Sequence, residues 1–361
     1  MKNKLYIAFA TTLIIFAACT KHTIDSVQPV PDTSRSYIFF EPEVVESVTT
    51  KTETVSSIKL SEIGTDAFGV MGYHNSSALF QHTEYNFTST ERGSGSIARV
   101  YPEDDVYKYD HLQPWMSSDK HTFYAFYPYT DLNGKVYMEN GAPYIMYNAD
   151  TDSSVDVLTD VEEVSISDGT SVGFELEHRL CALYLKIVNS QESGSGDSKT
   201  YPQLVLKKVE LKVEVPAGGK IYLASKNITL NKDEADPAKT TYTLRTYTLL
   251  NEPATIASKS ATNNYAEYGP ILFLPGGGLQ YRVDIKYVNA LDQDDTFSYP
   301  KEANTYQTAS APTSFVGGTK YTLTINRTVD TFVTGNYEDP DGEGSLQAGA
   351  WKDVSVQHTF N

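Results

Sequence analysis

The stretch Val205-Leu-Lys-Lys-Val-Glu-Leu-Lys-Val-Glu-Val215 decides the fold class. Val205, Val209, Leu211, Val213 and Val215 share one parity, and charged residues separate the last four. A period of two places them on one face of an extended chain, whereas a helix needs apolar repeats at three and four. The stretch therefore reads as a strand with one face on a core and one in water.

The same grammar runs outward in both directions. Upstream, Gln191–Thr200 is rich in Ser and Gly and is expected to be a hairpin loop. Before it, Val172–Val188 alternates at Phe174, Leu176 and His178, then turns apolar on both sides from Leu180, the pattern of a long central strand. Downstream, Pro216-Ala-Gly-Gly219 is expected to turn the chain. Thr241–Leu250 alternates again, and Ile271–Leu274 and Tyr281–Tyr287 flank Pro275-Gly-Gly-Gly278 as a hairpin would. Tyr321, Leu323 and Ile325 mark a late strand, and Trp351–Phe360 alternates at the end.

Nearer the start, His121-Thr-Phe-Tyr-Ala-Phe-Tyr-Pro128 sets Phe123, Ala125 and Tyr127 on one face, with Pro128 as the stop. Asn133-Gly134 and Asn140-Gly141 are turn pairs. The glycines of Phe68-Gly-Val-Met-Gly-Tyr73 suggest a bulge or a close approach to the backbone. No long window carries a helical period without a breaker. The expectation is a mostly β chain of two antiparallel β-sandwich domains, 52–168 and 169–361, with Gly194–Ser198 as a second possible boundary.

The first fifty residues read differently. Lys2 and Lys4 precede the charge-free run Leu5–Ala18, and small residues lead to Cys19. That is an export signal, shorter than the ~20 apolar residues of a spanning helix. Its end at Ala17-Ala18-Cys19 matches bacterial lipoprotein signals, so residues 1–18 are expected to be removed and Cys19 to carry lipid. Residues 20–35 form a polar, Pro-containing tether. Tyr37–Phe40 and Val44–Val48 are β-prone around Pro42, and Thr49-Thr-Lys-Thr52 is hydrophilic.

Bulk properties exclude some functions. The formal charge is −17, and losing Lys2 and Lys4 with the leader makes it two units more negative. Such a surface is not drawn to nucleic acid or anionic lipid. The two cysteines are Cys19 and Cys181, so a lipidated Cys19 leaves no disulfide framework and no cysteine metal site.

No catalytic signature is present: no His-Glu-x-x-His, no Gly-x-Ser-x-Gly elbow, no phosphate-loop lysine. Asp292, Asp294 and Asp295, and likewise Asp339, Asp341 and Glu343, offer oxygens without the ligand count of a calcium loop, and read as solvated turns. His178 and Cys181 read as packed core residues. Trp115, Tyr124, Tyr127, Tyr129 and Trp351 could stack on sugars but read first as core. No catalytic residue, metal or cofactor is assigned.

In order along the chain, five features resemble the fimbrillin family of type V fimbriae. They are the leader ending at Cys19, Lys51-Thr52 ahead of Asp66-Ala-Phe-Gly-Val-Met-Gly-Tyr73, and Thr122-Phe-Tyr-Ala-Phe-Tyr-Pro128. Phe174-Glu-Leu-Glu-His178-Arg-Leu-Cys-Ala182 and Tyr321-Thr-Leu-Thr-Ile325, with the terminal Trp351 segment, complete the set. The resemblance implies two transthyretin-like domains, no enzyme activity, and transit to the outer membrane as a lipoprotein before display in a surface fimbrium. It also implies a trypsin-like cut after a basic residue, Lys51 or alternatively Arg35. Loss of a propeptide strand marked by Tyr37, Phe39 and Val45 would follow, and a homologous pilin subunit would refill the groove by strand exchange. A sandwich short of one strand exposes unpaired N–H and C=O groups that template such pairing. Trp351–Phe360 is the expected donor, with Val354, Val356 and Phe360 as plugs; it could equally close its own domain. The competing expectation is a lipid-anchored tip adhesin or carbohydrate-binding lipoprotein of the same fold, which would keep Cys19.

Overall fold

The computed structural model describes residues 36–40, 57–59, 67–80, 85–87, 95–103, 106–109, 112–191, 200, 202–225, 227–259, 261, 263–277, 279–289, 292–308, 315–328, 332–334 and 346–350. Cys19, Arg35, Val45, Lys51, Asp339, Trp351, Val354, Val356 and Phe360 lie outside them. The chain is mostly β, and among the described residues helix is limited to short pieces such as Tyr129–Leu132 and Ala149–Asp152.

A nine-stranded sheet organises the N-terminal part. Its path runs 57–59, 175–178, 158–164, 121–127, 68–74, 95–103, 85–87. His121–Tyr127 sits inside it and ends at Pro128, as its sequence requires. Alternation splits this sheet between two cores. Phe68, Val70, Phe123, Ala125 and Tyr127 face a smaller core shared with Ile38 and Phe40. Met71 and Phe126 face a larger one, filled mainly by residues beyond 180. The two strand glycines are sites of close approach rather than bulges. A Cβ on Gly69 would lie 2.2 Å from the Phe126 ring, and one on Gly72 would lie 2.7 Å from the Phe80 ring, while the register to His121–Tyr127 continues unbroken.

The larger core is closed by three further sheets. One runs 265–273, 181–189, 319–327, with 332–334 and 346–350 on its far edge. Another runs 242–250, 204–216, 280–288, 294–299, and a small one runs 228–230, 218–222, 142–148, 136–139. Leu204–Pro216 is the strand read from the sequence, with Val209, Leu211, Val213 and Val215 buried. At its start the parity is corrected: Leu204 and Leu206 are buried and Val205 is not, because the register to Gln280–Val288 shifts between Leu206 and Lys208.

Other expectations are also corrected. Val172–Val188 is three strands, Ser171–Val172, Glu175–His178 and Cys181–Asn189, which pair with different partners. The second break falls at Arg179, whose N–H donates to the Val157 carbonyl and whose guanidinium Nη2 donates to the Ser225 carbonyl. The loops at 191–200 and 275–278 are not hairpins, since the strands on either side belong to different sheets. Pro216–Gly219 is not a tight turn: Leu204–Pro216 passes through Ala217 into Gly218–Tyr222 of the small sheet. Asn133-Gly134 lies in a short 3-10 helix instead of a turn pair. Asn140-Gly141 does form the expected hairpin, with φ of 50° and 80°, the left-handed pair that a two-residue turn demands.

Candidate functional site

The best-defined site is the seat of the N-terminal segment Ser36–Phe40. This short stretch threads between two parts of the chain. On one side the Ile38 N–H donates to the Gln113 carbonyl at 2.9 Å, the Trp115 N–H donates to the Ser36 carbonyl at 3.0 Å, and Tyr37 bridges Pro114 antiparallel. On the other side the Phe39 N–H donates to the Thr170 carbonyl at 2.9 Å, and Phe39 and Phe40 pair in parallel with Ser171 and Val172.

Alternation then selects the plugs. Ile38 and Phe40 are fully enclosed, whereas Phe39 is 41% exposed and Tyr37 half-buried. Of the residues that marked the strand in the sequence, Tyr37 and Phe39 thus lie on its outer face, and Val45 lies outside the described residues. The Phe40 ring meets Tyr109 at 5.2 Å, Phe174 at 5.9 Å, Phe123 at 6.1 Å, Phe80 at 6.3 Å and Phe68 at 6.4 Å between centroids. Most of these contacts are edge-on or tilted, as the ring quadrupole favours. Enclosing Ile38 and Phe40 contributes about 1.5–3 kcal/mol each.

A buried tyrosine closes the floor. The Tyr109 hydroxyl donates to the Ile38 carbonyl at 2.9 Å and accepts the Gln113 N–H at 3.1 Å, so it joins the strand to its bracket. Burial raises its pKa well above the usual phenol range, and the Gln113 bond lowers it only partly, so the donor proton stays in place.

Behind the bracket, Trp115 stands edge-on to His121 at 4.9 Å, and His121 stacks on His74 at 4.7 Å. The Met116 N–H donates to His121 Nε2 at 3.4 Å, and Nδ1 donates to the Asp119 carbonyl at 2.9 Å, which fixes a neutral ring with its proton on Nδ1. Burial lowers the His121 pKa; the Asp119 carbonyl opposes that, and His74 adds to it. Across the sheet, Asp160 accepts the Glu175 and Val161 N–H groups, yet burial pushes its carboxyl up to about 6.

Residues weighed for chemistry are placed as structure. His178 is buried, with Nδ1 2.7 Å from Asp156 Oδ2. Cys181 is buried, its thiol donates to the Val316 carbonyl at 3.2 Å, and burial raises its pKa. Trp115, Tyr127 and Tyr129 are core residues and present no flat sugar platform. Asp294 pairs with Lys207, and Asp295 accepts the Tyr287 hydroxyl and the Thr296 N–H. Among the strands that the sequence did not signal are Gly95–Glu103, Val106–Tyr109 and Leu346–Ala350, the last pairing antiparallel with Thr319–Leu323. The short alternation of that last strand, Leu346-Gln-Ala-Gly-Ala350, is apolar but glycine-broken and carries little signal.

A family model described as fimbrillin-like matches residues 59–339. No curated protein matches the chain. Among solved structures, a fimbrial protein from Bacteroides vulgatus is 16% identical and superposes with a TM-score of 0.48, over 79% of this chain and 92% of that one. A protein from Bacteroides uniformis described as a cell adhesion protein is 13% identical, with a TM-score of 0.43, over 89% and 99%. Another so described, from Bacteroides ovatus, is 14% identical, with a TM-score of 0.43, over 87% and 95%.

Proposed function

Because the chain belongs to the fimbrillin-like family, we propose that it is a structural, non-enzymatic subunit of a cell-surface fimbrium, exported as a lipoprotein through Cys19 and polymerised by strand exchange. The observation that supports this reading is the seat of Ser36–Phe40. A core pocket of five aromatic rings is filled by a terminal segment held through a few hydrogen bonds. Removal of that segment would leave an apolar slot flanked by unpaired carbonyls and N–H groups, which invites another strand.

The same seat supports one of the two processing sites over the other. A cut after Arg35 would leave the plug seated. A cut after Lys51 would release it, so Lys51 is the productive site in this reading. The incoming strand must present two apolar side chains two residues apart, as Ile38 and Phe40 do. Val354 and Val356, with Phe360 beyond, meet that demand, and a neighbouring pilin subunit would supply them. The division into two transthyretin-like domains belongs to the same proposal.

The test is to treat purified precursor with a lysine- and arginine-specific protease. The expected result is a stable core beginning at Thr52 that forms laddered, detergent-resistant oligomers. A trimmed core that stays monomeric would overturn the polymer reading. Surface material that keeps a lipidated Cys19 would favour the anchored adhesin.

A further inference from the structure

We propose that the free edge of the Tyr242–Leu250 strand is a lateral docking surface for a second copy of this chain, the two edges pairing antiparallel about Thr246. The strand is nine residues long and, among the described residues, pairs along one side only, with Leu204–Pro216. It therefore offers about 30 Å of backbone with every second N–H and C=O directed outward.

Long edges are normally blunted by charge, proline or bulges. The comparable edges here are. Tyr265–Phe273 carries Glu267 and Pro270, and Asp294–Tyr299 opens on two acids and runs into Pro300. Tyr242–Leu250 has no acid and no proline within it, and Glu252 and Pro253 follow only after its end. Its one charge, Arg245, is tied down by Asp150 at 2.6 Å and Ser153 at 3.2 Å, and Leu244 is 49% exposed. A register break next to Leu249 touches only its last residues.

The occupant follows from self-complementarity. Thr246 is the midpoint, so a two-fold through it sets Arg245 opposite Tyr247 and Leu244 opposite Thr248, each twice. No like charges face each other across that axis. A net charge of −17 disfavours contact between copies elsewhere, and this edge is free of acid. One ladder of nine residues buries less than the roughly 1,200 Å² of a stable dimer, so the contact is weak alone and adds up only between arrays of subunits. The inference does not depend on strand exchange, because an unpolymerised chain presents the same edge.

The experiment is cysteine cross-linking of the full-length chain. Directly opposed residues have Cα atoms about 4.5–5.5 Å apart, within disulfide reach. Thr246→Cys should give a disulfide-linked dimer under mild oxidation several-fold faster than Thr296→Cys, which is exposed on the opposite edge of the same sheet. Equal rates would overturn the proposal. In a mixture of Leu244→Cys and Thr248→Cys chains, adding Thr246→Asp to both should suppress the cross-link. That carboxylate faces Lys212 within its own sheet and its own counterpart across the two-fold. An undiminished cross-link would refute the register. A Thr246→Cys dimer that vanishes on deletion of residues 351–361 would assign the edge to the C-terminal tail and refute the second-copy reading.

Discussion

Replacing Phe40 by alanine isolates the strength of the N-terminal seat. The ring is 1% exposed and enclosed by Phe68, Phe80, Tyr109, Phe123 and Phe174. Truncating such a phenylalanine costs about 3–5 kcal/mol in transfer and cavity terms. The five-residue segment Ser36–Phe40 is held by few bonds, so this loss is felt first as undocking rather than as global unfolding. It corresponds to roughly two to three and a half orders of magnitude in the docking equilibrium. The assay is amide hydrogen exchange at Ile38, whose N–H is tied to the Gln113 carbonyl at 2.9 Å. Phe40→Ala should accelerate that exchange by this factor, while the centre of the His121–Tyr127 strand changes far less. Phe39→Ala is the control: its side chain is 41% exposed, and its cost should stay within about 0.5 kcal/mol. Equal acceleration by the two variants would refute the assignment of Phe40 as the plug, as would unchanged exchange in Phe40→Ala.

Three further outcomes follow from the packing around that seat. Gly69→Ala drives a methyl to 2.2 Å from the fully buried Phe126 ring and should lower stability by about 1–3 kcal/mol in urea unfolding. His121 should titrate below its ordinary 6.5 in an NMR pH series, with His74 and Asp119 the ionisable groups that bear on it. A base with a lowered pKa binds fewer protons folded than unfolded, so its contribution to stability is intact above about pH 6.5 and is lost as pH falls below it; a midpoint at or above 6.5 would contradict the burial argument. Asp160 acts with the opposite sign: with its carboxyl pushed up to about 6, the folded chain holds a proton that the unfolded chain has released. Its destabilising effect is therefore present above pH 6 and relieved as pH falls toward the ordinary carboxylate range. The carbon-13 shift of its carboxyl should show the midpoint directly, and a midpoint near 4 would refute it.

Period-two patterning is a local property, and it was legible wherever the neighbours were local. The buried faces of His121–Tyr127 and of Leu204–Pro216 beyond Val209 follow from their alternation, as does the Asn140-Gly141 turn. Turn chemistry, however, records only that the chain bends. The glycines at 275–278 look the same whether the next strand returns beside the last or crosses to an opposing sheet, and here they cross. Val172–Val188 reads as one strand because both sides are apolar; its three pieces are fixed by three sets of distant partners, from Phe39 to Tyr321. The plug illustrates the same limit. Tyr37-Ile-Phe-Phe40 is apolar at every position, so alternation cannot choose a face, and Tyr109 with its ring neighbours makes the choice for Ile38 and Phe40.

The way Ser36–Phe40 is bracketed has a mechanical corollary. Its hydrogen bonds to Gln113, Trp115 and Thr170 run across its own axis. Tension applied along that axis therefore loads them together, as in a lap joint, instead of peeling them one after another. A fibre whose joints used this seat would meet drag with every bond of each joint at once, while a sideways pull on a single end could still open it stepwise.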